Sequence, residues 1–241
     1  MRSRERVDRM IQEQIDARRR RPDPAREDIL SLLMAARDEA GAPLRDDELR
    51  DELMTLLVAG HETTATALTW ALYWIHLQPD IRERLLHEAR AAGEGLDPAA
   101  IARLPYLQAV ISETLRIHPV GMLTFPRVAC RPVELDGHTL PPETIVMGSI
   151  HLAHRRPSVY PEPERFDPDR FLNRSYSPYE FLPFGGGSRR CIGMAFALYE
   201  MKLALHTILE GPALRLPQGL EVRPVRRGLT AGASPVRMEL A

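Results

Sequence analysis

The chain has 241 residues, of which 44% are hydrophobic and 27% charged, and its 32 basic and 33 acidic side chains give a formal net charge of −1. These values exclude a wholly disordered chain and argue against a dedicated nucleic-acid-binding protein. The two cysteines, Cys130 and Cys191, exclude a disulfide framework and lack the paired spacing of a zinc site. We expect a cytoplasmic protein without a membrane span, because no apolar run approaches the length that a bilayer requires.

The N-terminal part of the chain is predicted to be helical. A first helix has one apolar face and ends in the arginine run 18–21, and a second amphipathic helix begins near Ile29. Eight arginines fall within the first 21 residues, but the interleaved acids favour a solvated helix face over a nucleic-acid or membrane arm. A longer apolar stripe from Asp46 to Pro79 predicts a helix of roughly 45 Å, which would cross a whole domain.

Three more helices follow along the chain. One covers 80–92, and the next begins at Pro105 and ends near His118 because Pro119 cannot continue it. A final helix is predicted over 192–209. The helical segments therefore make up most of the predicted regular structure.

Strands are predicted in the second half of the chain. Short β-like segments separated by turn residues indicate a small sheet between 119 and 161, and a hairpin is expected around 228–234. Residues 155–190 lack periodicity, which a compact fold tolerates mainly in functional segments. The predicted fold class is therefore mainly α with small β-sheets.

The segment 184–193, FGGGSRRCIG, brings Cys191 to the start of the last helix. Helix-terminal amides and neighbouring arginines favour a thiolate, and glycines let a flat ligand approach the backbone. A phosphate loop does not fit, because Arg190 or Ser188 occupies the position that requires glycine. A nucleophilic cysteine, a buried structural cysteine and an axial ligand of heme iron remain as interpretations.

This segment resembles the heme-binding signature of the cytochrome P450 family of heme-thiolate monooxygenases, F-x-x-G-x-[RH]-x-C-x-G. Every fixed position is matched, by Phe184, Gly187, Arg189, Cys191 and Gly193. The resemblance implies that Cys191 is the thiolate ligand of a heme b iron and that Arg189 binds a heme propionate. It also implies cofactor contacts by Phe184, Gly185 and Gly193.

Glu113 and Arg116 lie one helical turn apart, which by itself indicates a surface ion pair worth under about 1 kcal/mol. The resemblance instead makes them members of the family's structural triad. Arg170, in the segment FDPDRF (166–171), is the expected third member, and Arg165 is the alternative. Such a triad holds the segment beneath the cysteine, and its buried charges need one another.

The segment AGHETT (59–64) is polar for the middle of a long helix. A zinc-protease motif is excluded, since Ala65 stands where H-E-x-x-H requires histidine. A mid-helix threonine ordinarily bonds back to a carbonyl. The segment resembles the family's A-G-x-[DE]-T motif, which implies that Gly60 leaves space for dioxygen and that Glu62 and Thr63 supply protons.

Two further residues are placed by the family pattern. Arg127 is expected to bind the second propionate, with a solvated arginine as the alternative, and His154 is expected at the heme periphery. The apolar segments 120–125 and 230–233 would contact substrate, unless they are ordinary core.

The resemblance covers nearly all of residues 1–241, which we expect to form a single heme-binding domain. It includes only the rear of the family's fold, from the long I helix through the L helix to the C-terminal hairpin, so the front helices are expected to be absent. Apolar faces left uncovered favour a complementing polypeptide or self-association. Among the 32 basic residues 31 are arginine, which favours a bacterial source.

The resemblance implies a monooxygenase that inserts one atom of dioxygen into a small apolar organic substrate. A redox partner, either a ferredoxin or a flavoprotein reductase, would supply the electrons. The alternative is a non-catalytic remnant, or a simple heme-binding module without a closed substrate pocket.

Overall fold

The computed structural model describes residues 2–228 and 230–241. The chain forms two compact units, residues 1–62 and residues 63–241. The helices of the described residues are α1 (Arg2–Arg20), α2 (Ile29–Ala35), α3 (Asp46–Leu77), α4 (Pro79–Ala92), α5 (Pro98–Ala102), α6 (Pro105–Ile117), α7 (Ile150–Ala153), α8 (Arg170–Asn173) and α9 (Met194–Glu210). The single domain expected over 1–241 stays a prediction.

Within the described residues, the strands form two-stranded antiparallel sheets. They are β1 (Arg127–Val128), β2 (Val133–Leu135), β3 (His138–Leu140), β4 (Ile145–Val146), β5 (Leu214–Arg215), β6 (Pro224–Arg227), β7 (Thr230–Ala233) and β8 (Glu239–Leu240). The pairs are β1 with β4, β2 with β3, β5 with β8, and β6 with β7. The prediction of a mainly α fold with small β-sheets is confirmed.

The first unit closes around a small apolar core of Ile15, Leu30 and Leu49, which come from α1, α2 and the start of α3. Asp28 caps α2, since its carboxylate accepts a hydrogen bond of 2.9 Å from the Ser31 amide. Arg18 donates to the same carboxylate at 2.9 Å and lowers the pKa of Asp28 to about 2. Helix α3 has 32 residues and ends two residues before the Pro79 at which the apolar stripe stops, and its residues fall in both units.

The second unit is built around α6, a helix that is buried over most of its length although it carries charged and polar residues such as Glu113 and Arg116. It packs against α4, α8 and α9. Its N-terminus is capped from another helix, because the Glu88 carboxylate of α4 accepts from the amides of Tyr106 and Leu107 at 2.5 and 2.9 Å. This central position makes α6 the scaffold on which the following loops are held.

The turns explain the short strands. Asp136 and Gly137 join β2 to β3 with positive φ angles of 49° and 77°, as a two-residue hairpin turn requires. The small sheet expected between 119 and 161 is two separate ladders, because β1 pairs with β4 outside this hairpin.

Within the described residues, every helix is too short or too polar to cross a bilayer.

Candidate functional site

The cysteine loop, residues 184–193, is closed by its own backbone. The Cys191 amide donates to the Phe184 carbonyl at 2.9 Å, and the Gly185 amide donates to the Leu182 carbonyl at 3.0 Å. Gly193 then caps the N-terminus of α9. Cys191 is exposed, so its Sγ is available to a ligand beside the positive end of a helix.

The loop leaves open space on its surface. Gly185 and Gly187 have positive φ angles of 71° and 66°, and a Cβ added to either glycine would meet nothing within 4 Å. Ile192 is 94% exposed and Phe196 is 63% exposed. An accessible thiol next to open glycines and uncovered apolar side chains fits a flat apolar ligand such as heme.

Two arginines expected to bind propionates are available for an anion. Arg189 is exposed, and its guanidinium makes no hydrogen bond or ion pair to any residue in 2–228 or 230–241. Arg127 lies on β1, and among the residues that the structure describes its guanidinium reaches only the carbonyls of Phe125 and Pro126, at 3.5 and 3.4 Å. Guanidinium groups without a carboxylate partner suit the propionates of heme.

The predicted triad residues lie together in the interior. Arg116 donates from Nε and Nη2 to the two Glu113 carboxylate oxygens at 2.6 and 2.8 Å, and Arg170 Nε donates to Oε1 at 3.1 Å. The Glu113 and Arg116 side chains have no exposed surface, and that of Arg170 is 8% exposed. The carboxylate also accepts from the Asp167 amide at 2.8 Å, so its buried charge is paired and bonded.

Arg116 ties α6 to the segment that leads to the cysteine loop. Its guanidinium donates to the carbonyls of His154, Pro163 and Arg165 at 3.0, 2.8 and 3.2 Å. The Arg165 side chain itself is exposed and pairs with Glu162 at 3.4 Å. Arg165 therefore contributes a carbonyl to this network, and Arg170 supplies the second guanidinium.

His154 lies apart from any open surface. Its side chain is fully buried, and its ring nitrogens contact the Arg116 carbonyl at 3.1 Å and the Leu182 amide at 2.9 Å. Burial lowers the pKa of its imidazole to about 4. The expected place of His154 at the heme periphery stays a prediction, and in this structure its side chain lies in the interior.

The AGHETT segment divides between the two units. Gly60, His61 and Glu62 end the first unit and are exposed, while Thr63 begins the second and is partly exposed. Thr64, the next residue, is 6% exposed. The roles expected for Gly60, Glu62 and Thr63 in dioxygen chemistry stay predictions.

The two segments expected to contact substrate are adjacent within the second unit. The Ala231 amide donates to the Val120 carbonyl at 2.9 Å, and Gly121 forms a β-bridge with Thr230. Phe125, at the end of the first segment, is 68% exposed. This exposed aromatic ring is available to an apolar ligand.

The sequence analysis missed the bonds between His154 and Leu182 and between Arg155 and Ile117. Arg155 Nη2 donates to the Ile117 carbonyl at 2.8 Å, so it caps the C-terminus of α6. These partners are 28 and 38 residues apart. No periodicity or motif relates residues at such separations, so no local signal was available.

Comparison with known proteins identifies the family of this chain. The family model described as "Cytochrome P450" matches residues 1–238. A Mycobacterium tuberculosis protein classed as cytochrome P450 135B1 is 46% identical over 206 residues, which are 85% of this chain and 43% of that protein. Cyclooctatin synthase of Streptomyces melanosporofaciens is 41% identical over 239 residues, or 97% of this chain and 52% of that protein.

A solved structure has the same fold. The retinoic acid-bound cyanobacterial CYP120A1 is 32% identical, with a TM-score of 0.86 over 97% of this chain and 56% of that chain. This chain therefore spans about half the length of the relatives that it matches. With a family model that covers all but the last three residues, the chain belongs to the cytochrome P450 family.

Proposed function

We propose that this chain carries the heme-binding part of a heme-thiolate monooxygenase, in which Cys191 is the axial ligand. The observation that carries the proposal is the exposed Cys191 at the N-terminal end of α9, on a glycine loop with open space beside it. A bound heme b would supply dioxygen cleavage, in which one oxygen atom enters the substrate and the other leaves as water after uptake of two electrons and two protons.

The chain's own residues hold the cofactor in this proposal. The amides at the start of α9 stabilise the negative charge of the Cys191 thiolate. Arg189 and Arg127 bind the propionates, since both guanidinium groups lack a carboxylate partner among the described residues. Phe184, Gly185 and Gly193 border the thiolate, and the two glycines, which have no side chain, leave the macrocycle room.

The triad of Glu113, Arg116 and Arg170 acts at a distance from the chemistry. Its buried ion pairs hold the backbone of residues 154–170 against α6. That segment leads to the cysteine loop, so the triad limits movement of the thiolate relative to α6.

Proton supply is assigned to α3. The Glu62 carboxylate takes up a proton from solvent, because it is exposed, and the Thr63 hydroxyl passes a proton on from its Oγ1 atom. Gly60, without a side chain, leaves space for dioxygen.

The substrate is a small apolar organic molecule, and the exposed ring of Phe125 and the half-exposed Leu123 support this proposal. The CYP120A1 structure, whose bound ligand is retinoic acid, provides a relative with a largely apolar ligand. A ferredoxin or a flavoprotein reductase supplies the electrons.

Loading the chain with hemin tests the proposal. After reduction and addition of carbon monoxide, we expect the strongly red-shifted Soret band that a thiolate ligand produces. Cys191→Ser should abolish this band, whereas Cys130→Ser should retain it, because both cysteines are exposed and only one lies in the loop. A red-shifted band that survives Cys191→Ser, or is lost with Cys130→Ser, would refute the assignment.

A further inference from the structure

The imidazole of His154 is a buried link between α6 and the start of the cysteine loop. Its Nδ1 atom lies 3.1 Å from the Arg116 carbonyl, and its Nε2 atom lies 2.9 Å from the Leu182 amide. Both contacts join the ring to main-chain groups that are distant from it in sequence. The ring therefore connects the main chain of Arg116 to that of Leu182 through its two nitrogens.

The hydrogen-bond partners determine the tautomer of the ring. The Leu182 amide is a donor, so Nε2 has to be the unprotonated acceptor. Nδ1 then carries the proton and donates it to the Arg116 carbonyl. Burial keeps the ring neutral, because it lowers the pKa of the imidazole to about 4.

The link continues into the loop through Leu182. The amide of this residue is bonded to His154, and its carbonyl accepts from the Gly185 amide at 3.0 Å. The Phe184 carbonyl in turn accepts from the Cys191 amide at 2.9 Å. A displacement of Leu182 would therefore be transmitted to the backbone that carries the thiolate.

The other end of the link, where His154 meets α6, is also held by hydrogen bonds and packing. Arg116 Nη1 donates to the His154 carbonyl at 3.0 Å while the Arg116 carbonyl accepts from the His154 ring. Phe181 stacks on the imidazole, with ring centroids 5.5 Å apart, which limits rotation of the ring. The His154 side chain is therefore held by the residue that organises the triad.

We propose that His154 is a positioning residue, which sets the place of the cysteine loop relative to α6 through the bond from Leu182 to Nε2. The proposal rests on the proposed function only in identifying Cys191 as the heme ligand. A purely structural role, in which the ring fills space in the core, is the competing explanation.

Two substitutions of similar polarity separate these explanations. In His154→Gln the side-chain oxygen can reach the position of Nε2 and accept from Leu182, whereas in His154→Asn the amide reaches only the position of Nδ1. Positioning predicts that the Gln variant keeps the loop in place and the Asn variant does not. Space filling predicts no such order.

The first measurement is hydrogen exchange of the full chain without heme. In the Asn variant we expect the amides of Leu182 and Gly185 to exchange about tenfold faster than in the Gln variant, because an acceptor is lost. Amides in α4 serve as the control and should exchange alike. Equal exchange at Leu182 in the two variants, or faster exchange in the Gln variant, would overturn the proposal.

The second measurement uses the hemin-loaded chain. The Asn variant should lose a larger share of the thiolate carbon monoxide band than the Gln variant. Because exchange at Leu182 is measured without heme, failure of the chain to bind heme would refute the proposed function and leave the exchange result to decide on His154.

The unsubstituted protein provides a test that does not depend on folding of a variant. The nitrogen chemical shifts of His154 report which ring nitrogen is protonated, and we expect the Nδ1–H tautomer. The Nε2–H tautomer would remove the acceptor for Leu182 and overturn the proposal.

Discussion

The triad and the cysteine loop show opposite uses of charged and polar groups. The Glu113 and Arg116 side chains have no exposed surface, and each of them has several hydrogen-bond partners. In the loop, Arg189 and Cys191 are exposed, and within the described residues the Arg189 guanidinium has no partner.

This difference follows from the cost of burial. A buried charge is stable only with a partner, so each triad residue is bonded before any ligand arrives. An exposed group keeps its hydration until a ligand replaces it, so the loop residues need no partner in the protein. The interior therefore supplies rigidity, and the surface supplies groups that are ready to bind.

The largest effect on stability is expected from a substitution in the buried triad. Glu113→Gln leaves Arg116 and Arg170 buried without their countercharge, so the free energy of unfolding should fall by about 3–5 kcal/mol. Urea unfolding of the full chain measures the change.

The control is Glu162→Gln, the same chemical change in the exposed pair with Arg165. It should cost under about 1 kcal/mol. Similar losses for the two variants would show that the triad has no special energetic weight.

A change of pH tests the buried histidine without altering the triad. Burial is the main reason that the pKa of His154 lies at about 4 instead of 6.5; its hydrogen bond with the Arg116 backbone opposes this shift, and the charges of Arg116, Arg155 and His151 add smaller lowering effects. The unfolded chain therefore binds more protons at this histidine between these values, so the contribution of His154 to stability is complete above pH 6.5 and falls by about 3 kcal/mol as the pH drops toward 4.

Urea unfolding over this pH range measures that loss. In His154→Gln one titrating group is lost, so the free energy of unfolding should fall less steeply as the pH drops from 6.5 to 4. The control is His138→Gln, which removes an exposed imidazole on β3 and should leave this slope as it is. An unchanged slope in His154→Gln would contradict the assignment.

A smaller effect is expected in the backbone of the loop. Gly185 has a φ of 71° with open space beside its Cα, so Gly185→Ala should lower the free energy of unfolding by about 1–2 kcal/mol through backbone strain alone. Gly186, with a φ of −152°, is the matched control, and Gly186→Ala should change stability by under about 0.5 kcal/mol. Equal costs would show that the positive φ is not what selects glycine at 185.

The smallest effect on stability is expected from a substitution in the exposed cysteine loop. Arg189→Gln should change the free energy of unfolding by under about 0.5 kcal/mol, because its guanidinium has no partner among the described residues. Hemin affinity should fall about tenfold, since a charge-assisted bond to a propionate is lost. A spectroscopic hemin titration measures the affinity.

Arg190→Gln is the neighbouring control for that titration, because the family signature leaves position 190 open. It should lower the affinity less than Arg189→Gln does. The reverse order would remove Arg189 from the propionate site.

The helix bounds show how much was predictable from local patterns. The apolar stripe ending at Pro79 predicts α3, which is observed as Asp46–Leu77, and Pro119 predicts the end of α6, which is observed at Ile117. Side-chain periodicity and the missing amide of proline act within a few residues. They are therefore visible without the fold.

The membership of the triad was also predictable, although its surroundings were not. Motif resemblance selects Glu113, Arg116 and Arg170, but it indicates neither the Asp167 amide that completes the carboxylate's bonding nor the carbonyl partners of Arg116. The expected place of His154 at the heme periphery rests on a family pattern, which reports position along the chain and says nothing of burial.

The sequence by itself determined the family, the main helices and the loop that presents Cys191, since these depend on residue types at short and regular spacings. Only the tertiary structure decided which charged groups are buried and which main-chain groups they bind. Glu113 meets its Arg170 partner 57 residues away, and His154 meets Leu182 at a separation of 28. Contacts over such separations follow from the packing of whole elements around α6, which no local pattern encodes.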